Sequence, residues 1–191
     1  MAEKDLINIH SVIPLSRVNG PGARMVVFFQ GCARRCPGCF NPRTHPIETV
    51  SLYSPEELFE EHLAAGIEGI TVSGGEPFLQ PRGLLLLLKA AREEYGLTTV
   101  VYTGFDYGEL RARHNLSCVL DHVDVLVDGA FDRTRKEPTL LARGSTNQRF
   151  HFLNGTYRIE DFYMPGKAEI IIREDGTVVE TGFSRVDGSA A

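Results

Sequence analysis

A chain of 191 residues and 21.2 kDa is long enough for one sizeable hydrophobic core and short for two complete domains. Its hydrophobic content of 42% and charged content of 24% are ordinary for a soluble globular protein, and a net charge of −5 argues against binding nucleic acid over the whole surface. Residues 1–7 lack the apolar segment of a secretion signal and the apolar run 84–88 is too short to span a bilayer, so we expect a cytoplasmic protein with neither a membrane nor a nucleic-acid partner.

Apolar runs rich in β-branched residues predict five strands in chain order, at residues 6–13, 25–29, 67–72, 97–102 and 123–127. Each of the last four is bounded by turn-forming residues. Runs of this length and composition are typical of buried strands.

Helical patterns separate these strands, at residues 54–65, 82–95 and 106–114. The first pattern has Ser54 as its N-cap and Glu57 at the third helical position. Alternating strands and helices favour a parallel sheet built from right-handed crossovers. We therefore predict an α/β fold, a partial (β/α) TIM-like barrel in which an open parallel sheet has flanking helices.

The C-terminal part of the chain has a different pattern. Residues 167–173 and 177–183 are rich in β-forming residues and flank the turn Glu174-Asp175-Gly176, which predicts a β-hairpin. We expect residues 1–150 to form the partial-barrel domain. Residues 151–191 would be an extension within the same structural unit, ending in a short disordered tail at 186–191.

Three cysteines, Cys32, Cys36 and Cys39, lie within eight residues directly after the strand at 25–29. Clustered cysteines in a chain without a secretion signal favour metal ligands over disulfides. An iron–sulfur cubane usually takes four thiolates, so three would leave one iron open to a substrate or cofactor. The alternatives are a structural zinc site with His45 as fourth ligand, or a non-catalytic metal-binding or electron-transfer module.

Four polar or glycine-rich segments follow predicted strands: the cysteine loop, residues 73–77, residues 103–104 and residues 128–129. The carboxyl ends of parallel strands meet at one edge of a sheet, where ligand sites collect. We therefore expect these segments to face one site.

The cysteine spacing, followed by the aromatic Phe40, resembles the C-x3-C-x2-C motif of the radical S-adenosylmethionine superfamily. Residues 19–24, with the order Gly-Pro-Gly-x-Arg, and the Ser-Gly-Gly-Glu-Pro run at 73–77 resemble two signatures of the glycyl-radical-enzyme activases. Residues 126–131 and 143–149 resemble later segments of the branch that activates anaerobic ribonucleotide reductases. The resemblance extends from about residue 10 to residue 150.

The resemblance implies a [4Fe-4S] cluster held by Cys32, Cys36 and Cys39, with S-adenosylmethionine on the open iron. It implies reductive cleavage of that cofactor to a 5′-deoxyadenosyl radical, which abstracts hydrogen from a glycine of a partner enzyme, most simply an anaerobic ribonucleotide reductase. The radical is carried by the cofactor, so no catalytic side chain is assigned. A flavodoxin- or ferredoxin-type electron donor is a second implied partner, and Arg34 and Arg35 in the cysteine loop are a hypothetical docking site for it.

The resemblance also implies contacts between the cofactor and a set of residues at the expected site. They are Gly38, Cys39, Phe40, Gly74, Gly75, Glu76, Thr103, Asp128 and Arg143. Phe40 would lie against the adenine, and Glu76 would bind the ammonium group. The glycines would let the backbone approach closely. Without the resemblance, Glu76 and Arg143 are more typical of solvated surface charges, and Gly74-Gly75 is more typical of a turn.

One further reading is a radical S-adenosylmethionine enzyme that acts on a small molecule or a peptide. Asn19 stands where many activases carry aspartate, and residues 151–191 extend past the usual end of the reductase branch. A C-terminal hairpin that closes a small-molecule pocket would favour this alternative.

Overall fold

The computed structural model describes residues 5–164, 168–172 and 176–183. Its main sheet has seven strands, which are β1 (Ile7–Ser16), β2 (Arg24–Phe29), β3 (Ser51–Tyr53), β4 (Gly69–Gly74), β5 (Thr98–Tyr102), β6 (Val125–Asp128) and β7 (Arg149–Phe152). The strands lie in the order β3-β1-β2-β4-β5-β6-β7. The expected α/β class with a sheet rich in parallel strands is confirmed.

The parallel part of the sheet is its centre, where β2, β4, β5 and β6 run in one direction. The margins differ from the expectation, because β1, β3 and β7 pair antiparallel with their neighbours. Only residues 17–23 join β1 to β2, and a connection that short cannot make a parallel crossover. β3 and β7 were not predicted from the sequence.

Four α-helices connect the strands: α1 (Pro55–His62), α2 (Pro81–Glu93), α3 (Tyr107–Ala112) and α4 (His114–Leu120). The predicted cap of α1 is present, since the Ser54 side chain accepts from the Glu57 backbone N–H and the Glu57 carboxylate accepts from the Ser54 backbone N–H. α1 ends three residues before the predicted end at 65. The single helix predicted at 106–114 is a pair, because Arg113 takes extended dihedrals and α4 begins directly after it.

Both faces of the parallel centre are buried. On one face the helices pack against alternate strand residues, among them Met25, Val27, Ile70 and Val101. The other face is covered by the chain after β6. The buried residues of this second core are Val100, Val125, Leu141, Ala142, Phe162 and Met164. Residues 141–164 therefore complete the layer opposite the helices.

The C-terminal region contains β8 (Ala168–Ile172) and β9 (Val178–Gly182), which pair antiparallel with Ile172 opposite Val178. Two side chains connect this pair to the turn after β1. Glu169 accepts from the Arg17 backbone N–H at 2.8 Å, and the Asn19 amide donates to the Thr181 hydroxyl at 2.9 Å. Two parts of the predicted tail, Glu174-Asp175 and residues 186–191, lie outside the described residues. In the part of the chain that the structure describes, no helix is long and apolar enough to cross a membrane.

Arg24 occupies the amino-terminal end of the parallel strands, at the opposite end of the sheet from the cysteines. Its side chain is fully buried. The guanidinium donates to six oxygen atoms, namely the carbonyls of Ile70, Thr98 and Pro21 and the hydroxyls of Thr71, Thr98 and Tyr157. These acceptors are neutral, and burial lowers the pKa of Arg24. The arginine of the 19–24 segment thus joins three strands to the covering segment and lies away from the candidate site.

Candidate active site

The cysteine loop leaves the carboxyl end of β2 and is fixed there by two backbone hydrogen bonds. The Gly31 N–H donates to the Thr44 carbonyl at 2.8 Å and the Cys32 N–H donates to the His45 carbonyl at 3.2 Å. Cys32 is buried, whereas Cys36 and Cys39 are half-buried. The loop therefore presents its thiols at the edge where ligand sites collect in parallel sheets.

Within residues 5–164, 168–172 and 176–183, no three His, Cys, Asp or Glu side chains are grouped as a single-ion site. His45, the fourth ligand of the zinc alternative, contacts the cysteine loop through its backbone carbonyl, which accepts from the Cys32 N–H. Tetrahedral zinc at about 2.3 Å from each sulfur would hold the sulfurs about 3.8 Å apart. In a cubane each thiolate binds a different iron, so the sulfurs lie farther apart.

The donor set itself fits a cubane with one open iron, because Cys32, Cys36 and Cys39 supply three thiols from one loop. Burial raises the pKa of the Cys39 thiol, and the neighbouring Cys36 and Cys32 raise it further, while the Asn41 N–H lowers it. Binding iron requires the thiolate, so ligation would release these protons.

The two glycines at the end of β4 bring this strand against the cysteine loop. The Gly75 N–H donates to the Phe29 carbonyl and the Glu76 N–H donates to the Gly31 carbonyl, each at 2.8 Å. A Cβ on Gly75 would lie 2.8 Å from the Gly31 carbonyl carbon, and one on Gly74 would lie 2.6 Å from the Phe29 nitrogen. These glycines were expected to let the backbone approach the cofactor. In the structure they let the end of β4 approach the end of β2 and the start of the cysteine loop.

Glu76 is 2% exposed and is held at the centre of the site. Its carboxylate accepts from the Phe78 N–H at 3.1 Å, the Thr103 hydroxyl at 2.8 Å and the Gly104 N–H at 2.8 Å. Arg34 Nε lies 3.9 Å from the same carboxylate. Burial raises the pKa of Glu76, and these donors and Arg34 oppose that rise. Glu76 and Thr103, two of the predicted cofactor residues, are thus in direct contact.

Asp128 is fully buried at the end of β6, and its carboxylate is hydrogen-bonded by other residues of the chain. Arg149 donates to it at 3.0 and 2.8 Å, the Tyr107 N–H donates at 2.7 Å, and His151 Nε2 is 3.2 Å away. Burial alone would raise its pKa, but the hydrogen bonds from Arg149 and Tyr107 and the proximity of His151 outweigh it and lower the pKa. Arg149 ends the 143–149 segment noted in the sequence, but its contact with Asp128, like that of His151, depends on the pairing of β7 with β6.

Arg143 is likewise engaged within the chain. Its Nε forms an ion pair with Glu137 and its Nη1 donates to the Gln148 carbonyl at 2.6 Å. The guanidinium also lies 6.0 Å from the centre of the Phe150 ring. Arg143 therefore fixes the loop that carries residues 137–148 near the site.

Phe40 packs against the 137–148 loop. Its ring centre is 5.0 Å from that of Phe131, and a Cβ on Gly144 would lie 2.7 Å from Phe40 Cε2. A Cβ on Gly38 would lie 3.5 Å from the Arg133 side chain. Phe40 remains 53% exposed. The structure therefore places Gly38, Cys39 and Phe40 at the rim, supported from one side.

Residues 18–151 match the model of a family described as a 4Fe-4S single cluster domain, which covers more than half of the chain. The chain belongs to this 4Fe-4S single-cluster family. Membership confirms the expected radical S-adenosylmethionine-type domain and its [4Fe-4S] cluster.

Two relatives match this chain over nearly their whole length. The anaerobic ribonucleoside-triphosphate reductase-activating protein of Escherichia coli K12 is 35% identical over 158 residues, which is 77% of this chain and 99% of that protein. The protein of the same name from Salmonella typhimurium LT2 is 36% identical over 155 residues, 75% of this chain and 97% of that protein.

Two further likenesses are more partial. The pyruvate formate-lyase-activating enzyme of Clostridium pasteurianum is 37% identical over 125 residues, 62% of this chain and 50% of that enzyme. The crystal structure of QueE from Escherichia coli matches with a TM-score of 0.48 and 14% identity, over 69% of this chain and 78% of that one.

Proposed function

We propose that this protein is a radical S-adenosylmethionine activase that forms a glycyl radical in an anaerobic ribonucleoside-triphosphate reductase. The observation that carries the proposal is identity of 35% over 99% of the length of a relative with that activity in its name. The three cysteines and the Glu76 loop lie together at the carboxyl edge of the parallel strands, which supports the same chemistry.

In this proposal Cys32, Cys36 and Cys39 hold the cluster. The cluster and S-adenosylmethionine, when bound, supply a 5′-deoxyadenosyl radical that removes a hydrogen atom from glycine Cα. The residues of this chain bind and orient the cofactor and exclude water from it. Phe40 offers the open face of its ring to the adenine, and Glu76 is the acceptor for the ammonium group.

The remaining cofactor residues have supporting parts in the proposal. Gly74 and Gly75 keep the Glu76 loop against the cysteine loop, and Thr103 orients the Glu76 carboxylate. Gly38 and Cys39 line the rim beside Phe40. Asp128 and Arg143 act indirectly, since both side chains are occupied by hydrogen bonds within the chain. They hold in place the segments that border the site on the side of β6 and β7.

We propose that the sheet works as a partial (β/α) barrel spanning residues 1–150, with the hairpin of the 151–191 extension packed on it. Phe162 and Met164 bury Val100 and Val125 on the face opposite the helices. Side chains thus fill this face in its lower part, and a substrate enters from the carboxyl edge. In this proposal the glycine of a partner's backbone loop approaches the same edge.

Exposed apolar side chains near the cysteine loop support a protein partner. Ile47 and Leu79 are 70% and 44% exposed and line one cavity with Gly31 at the start of the cysteine loop. Ile47 lies close to that loop, because its Cδ1 would be 3.4 Å from a Cβ on Gly31. Neighbouring exposed apolar side chains of this kind are typical of protein interaction sites.

The test uses anaerobically reconstituted protein, S-adenosylmethionine, dithionite and the anaerobic reductase of the same organism. We expect 5′-deoxyadenosine and a stable glycyl radical signal on the reductase by electron paramagnetic resonance. Cys36→Ala should abolish both, whereas Cys118→Ala, outside the loop, should retain both. Cofactor cleavage with a silent reductase would favour the small-molecule or peptide alternative, and no 5′-deoxyadenosine from cluster-loaded protein would favour the non-catalytic module.

The electron donor is proposed to be a flavodoxin- or ferredoxin-type protein in the cytoplasm. Arg35 is exposed in the cysteine loop, so it can meet an acidic donor surface, whereas Arg34 is held against the protein. Arg35→Glu should slow cluster reduction by flavodoxin and leave reduction by dithionite unchanged. Equal slowing with both reductants would remove Arg35 from the donor site.

A further inference from the structure

Arg34 lies between the first two cysteines of the loop, and its side chain turns inward across Gly104. The contact is close, because a Cβ on Gly104 would lie 2.8 Å from Arg34 Nε. The guanidinium carbon is 4.5 Å from the centre of the Phe105 ring. Its nitrogens are 3.9 Å from both Glu76 and Glu109. Only 31% of the side chain is exposed.

This position compensates a buried charge. The Glu76 carboxylate can accept about four hydrogen bonds, and three are supplied by Phe78, Thr103 and Gly104. Arg34 is the cation that the described residues place within 4 Å of it. A buried carboxylate without such a cation is costly to keep ionised. The side chain that neutralises Glu76 therefore comes from the cysteine loop itself.

Arg35, the next residue, differs in its backbone conformation and its contacts. It takes a left-handed conformation with φ of 47°, whereas Arg34 is the one whose guanidinium lies on Phe105 and near Glu76. Two adjacent arginines thus point to different surroundings from the same turn of the loop. They provide a matched pair for an experiment, since a substitution at either removes one charge from the same loop.

We propose that Arg34 is a positioning residue that fixes the cysteine loop to Glu76, so that the cluster ligands and the acceptor for the cofactor's ammonium group move as one unit. The proposal rests on the proposed function for the identity of the cofactor. The connection between Arg34 and Glu76 is independent of it. Glu109 takes the second end of the guanidinium, and Phe105 supports its face, which orients the side chain toward Glu76.

The first test measures binding of S-adenosylmethionine to protein with an oxidised cluster, where no turnover occurs. Arg34→Gln should weaken binding by about fivefold, since it removes one partly exposed ion pair and one cation–aromatic contact. Arg34→Lys should recover part of the affinity, and Arg35→Gln should bind as the unaltered protein does. With reductant present, the KM for S-adenosylmethionine should rise by the same factor while kcat stays within about twofold.

A second variant displaces Arg34 without removing its charge. Gly104→Ala places a methyl group where Arg34 lies, and it should weaken cofactor binding in the same direction. Gly108→Ala is the matched control, because nothing lies within 4 Å of its would-be Cβ. Unchanged affinity in Arg34→Gln, or an equal loss in Arg35→Gln, would overturn the positioning role.

A third measurement separates this inference from the proposed function. In cluster-free protein, Arg34→Gln and Glu76→Gln should act non-additively on the unfolding equilibrium constant, by about threefold or more, because the two residues interact. Additive effects would overturn the connection. If the unaltered protein bound no S-adenosylmethionine while this coupling held, the proposed function would fail and the link between the loops would stand.

Discussion

Replacing Arg24 with methionine tests whether the 19–24 segment has a structural role. Methionine fills most of the volume of the buried side chain but donates no hydrogen bond. The carbonyls of Ile70, Thr98 and Pro21 would each lose a donor. The hydroxyls of the network keep other partners, because Thr71 donates to the Asn19 carbonyl, Thr98 donates to the Glu68 carbonyl, and the Tyr157 hydroxyl lies 2.8 Å from that of Thr98.

The expected cost follows from these three carbonyls. A buried acceptor left without a donor costs about 1–3 kcal/mol, and a carbonyl with a second lone pair belongs at the low end of that range. Arg24→Met should therefore lower the free energy of unfolding by about 3 kcal/mol. Tyr157→Phe removes one hydroxyl partner of the same guanidinium and should cost about 1 kcal/mol.

Urea unfolding of cluster-free protein, followed by far-ultraviolet circular dichroism, measures both. With a slope of about 2 kcal/mol per molar urea, the midpoint should fall by about 1.5 M for Arg24→Met and by about 0.5 M for Tyr157→Phe. A smaller shift for Arg24→Met than for Tyr157→Phe would show that the guanidinium does not hold the strands together.

Two further substitutions address the site. Gly75→Ala should lower the free energy of unfolding by about 2 kcal/mol and lower the iron bound per protein after reconstitution, because the new methyl group meets the Gly31 carbonyl. Gly155→Ala is the control and should change neither quantity, because nothing lies within 4 Å of its would-be Cβ. Asp128→Asn should remove a pH-dependent part of the stability. The lowered pKa of Asp128 stabilises the fold above the unfolded value of about 3.9, and this contribution is lost as the pH falls through the folded pKa. The unfolding free energies of the unaltered protein and the variant should therefore differ by a constant amount from pH 7 down to about pH 5 and converge as the pH falls below about 4. A difference that does not shrink below about pH 4 would contradict the role given to Arg149.

The centre of the fold could be predicted because its signals are local. The apolar runs of β2, β4, β5 and β6 alternate with helix patterns, and the cap at Ser54 needs only residues three positions apart. The edge strands were missed for a physical reason. β7 has the sequence Arg-Phe-His-Phe and is half-exposed, so it lacks the continuous apolar run of a central strand.

The candidate site shows the same division. The position of Glu76 next to the cysteine loop follows from the order of parallel strands, which the sequence implies. The partners of Asp128 depend on the register between β6 and β7, which places Arg149 directly opposite Asp128 on the neighbouring strand. The inward turn of Arg34 depends on the missing side chain of Gly104, which is distant in the sequence. Contacts between residues that are far apart in the chain cannot be predicted from the pattern of one sequence.

The burial of Val100 and Val125 by residues 141–164 has a consequence during synthesis. All of the parallel strands precede this segment, since β6 ends at residue 128. At about 5–20 residues per second, the 36 residues from 128 to 164 take roughly 2–7 s to be made. During that interval the apolar face of the sheet that carries Val100 and Val125 is exposed to water. A chaperone that binds this face should therefore raise the yield of native protein more than a chaperone that binds the helices.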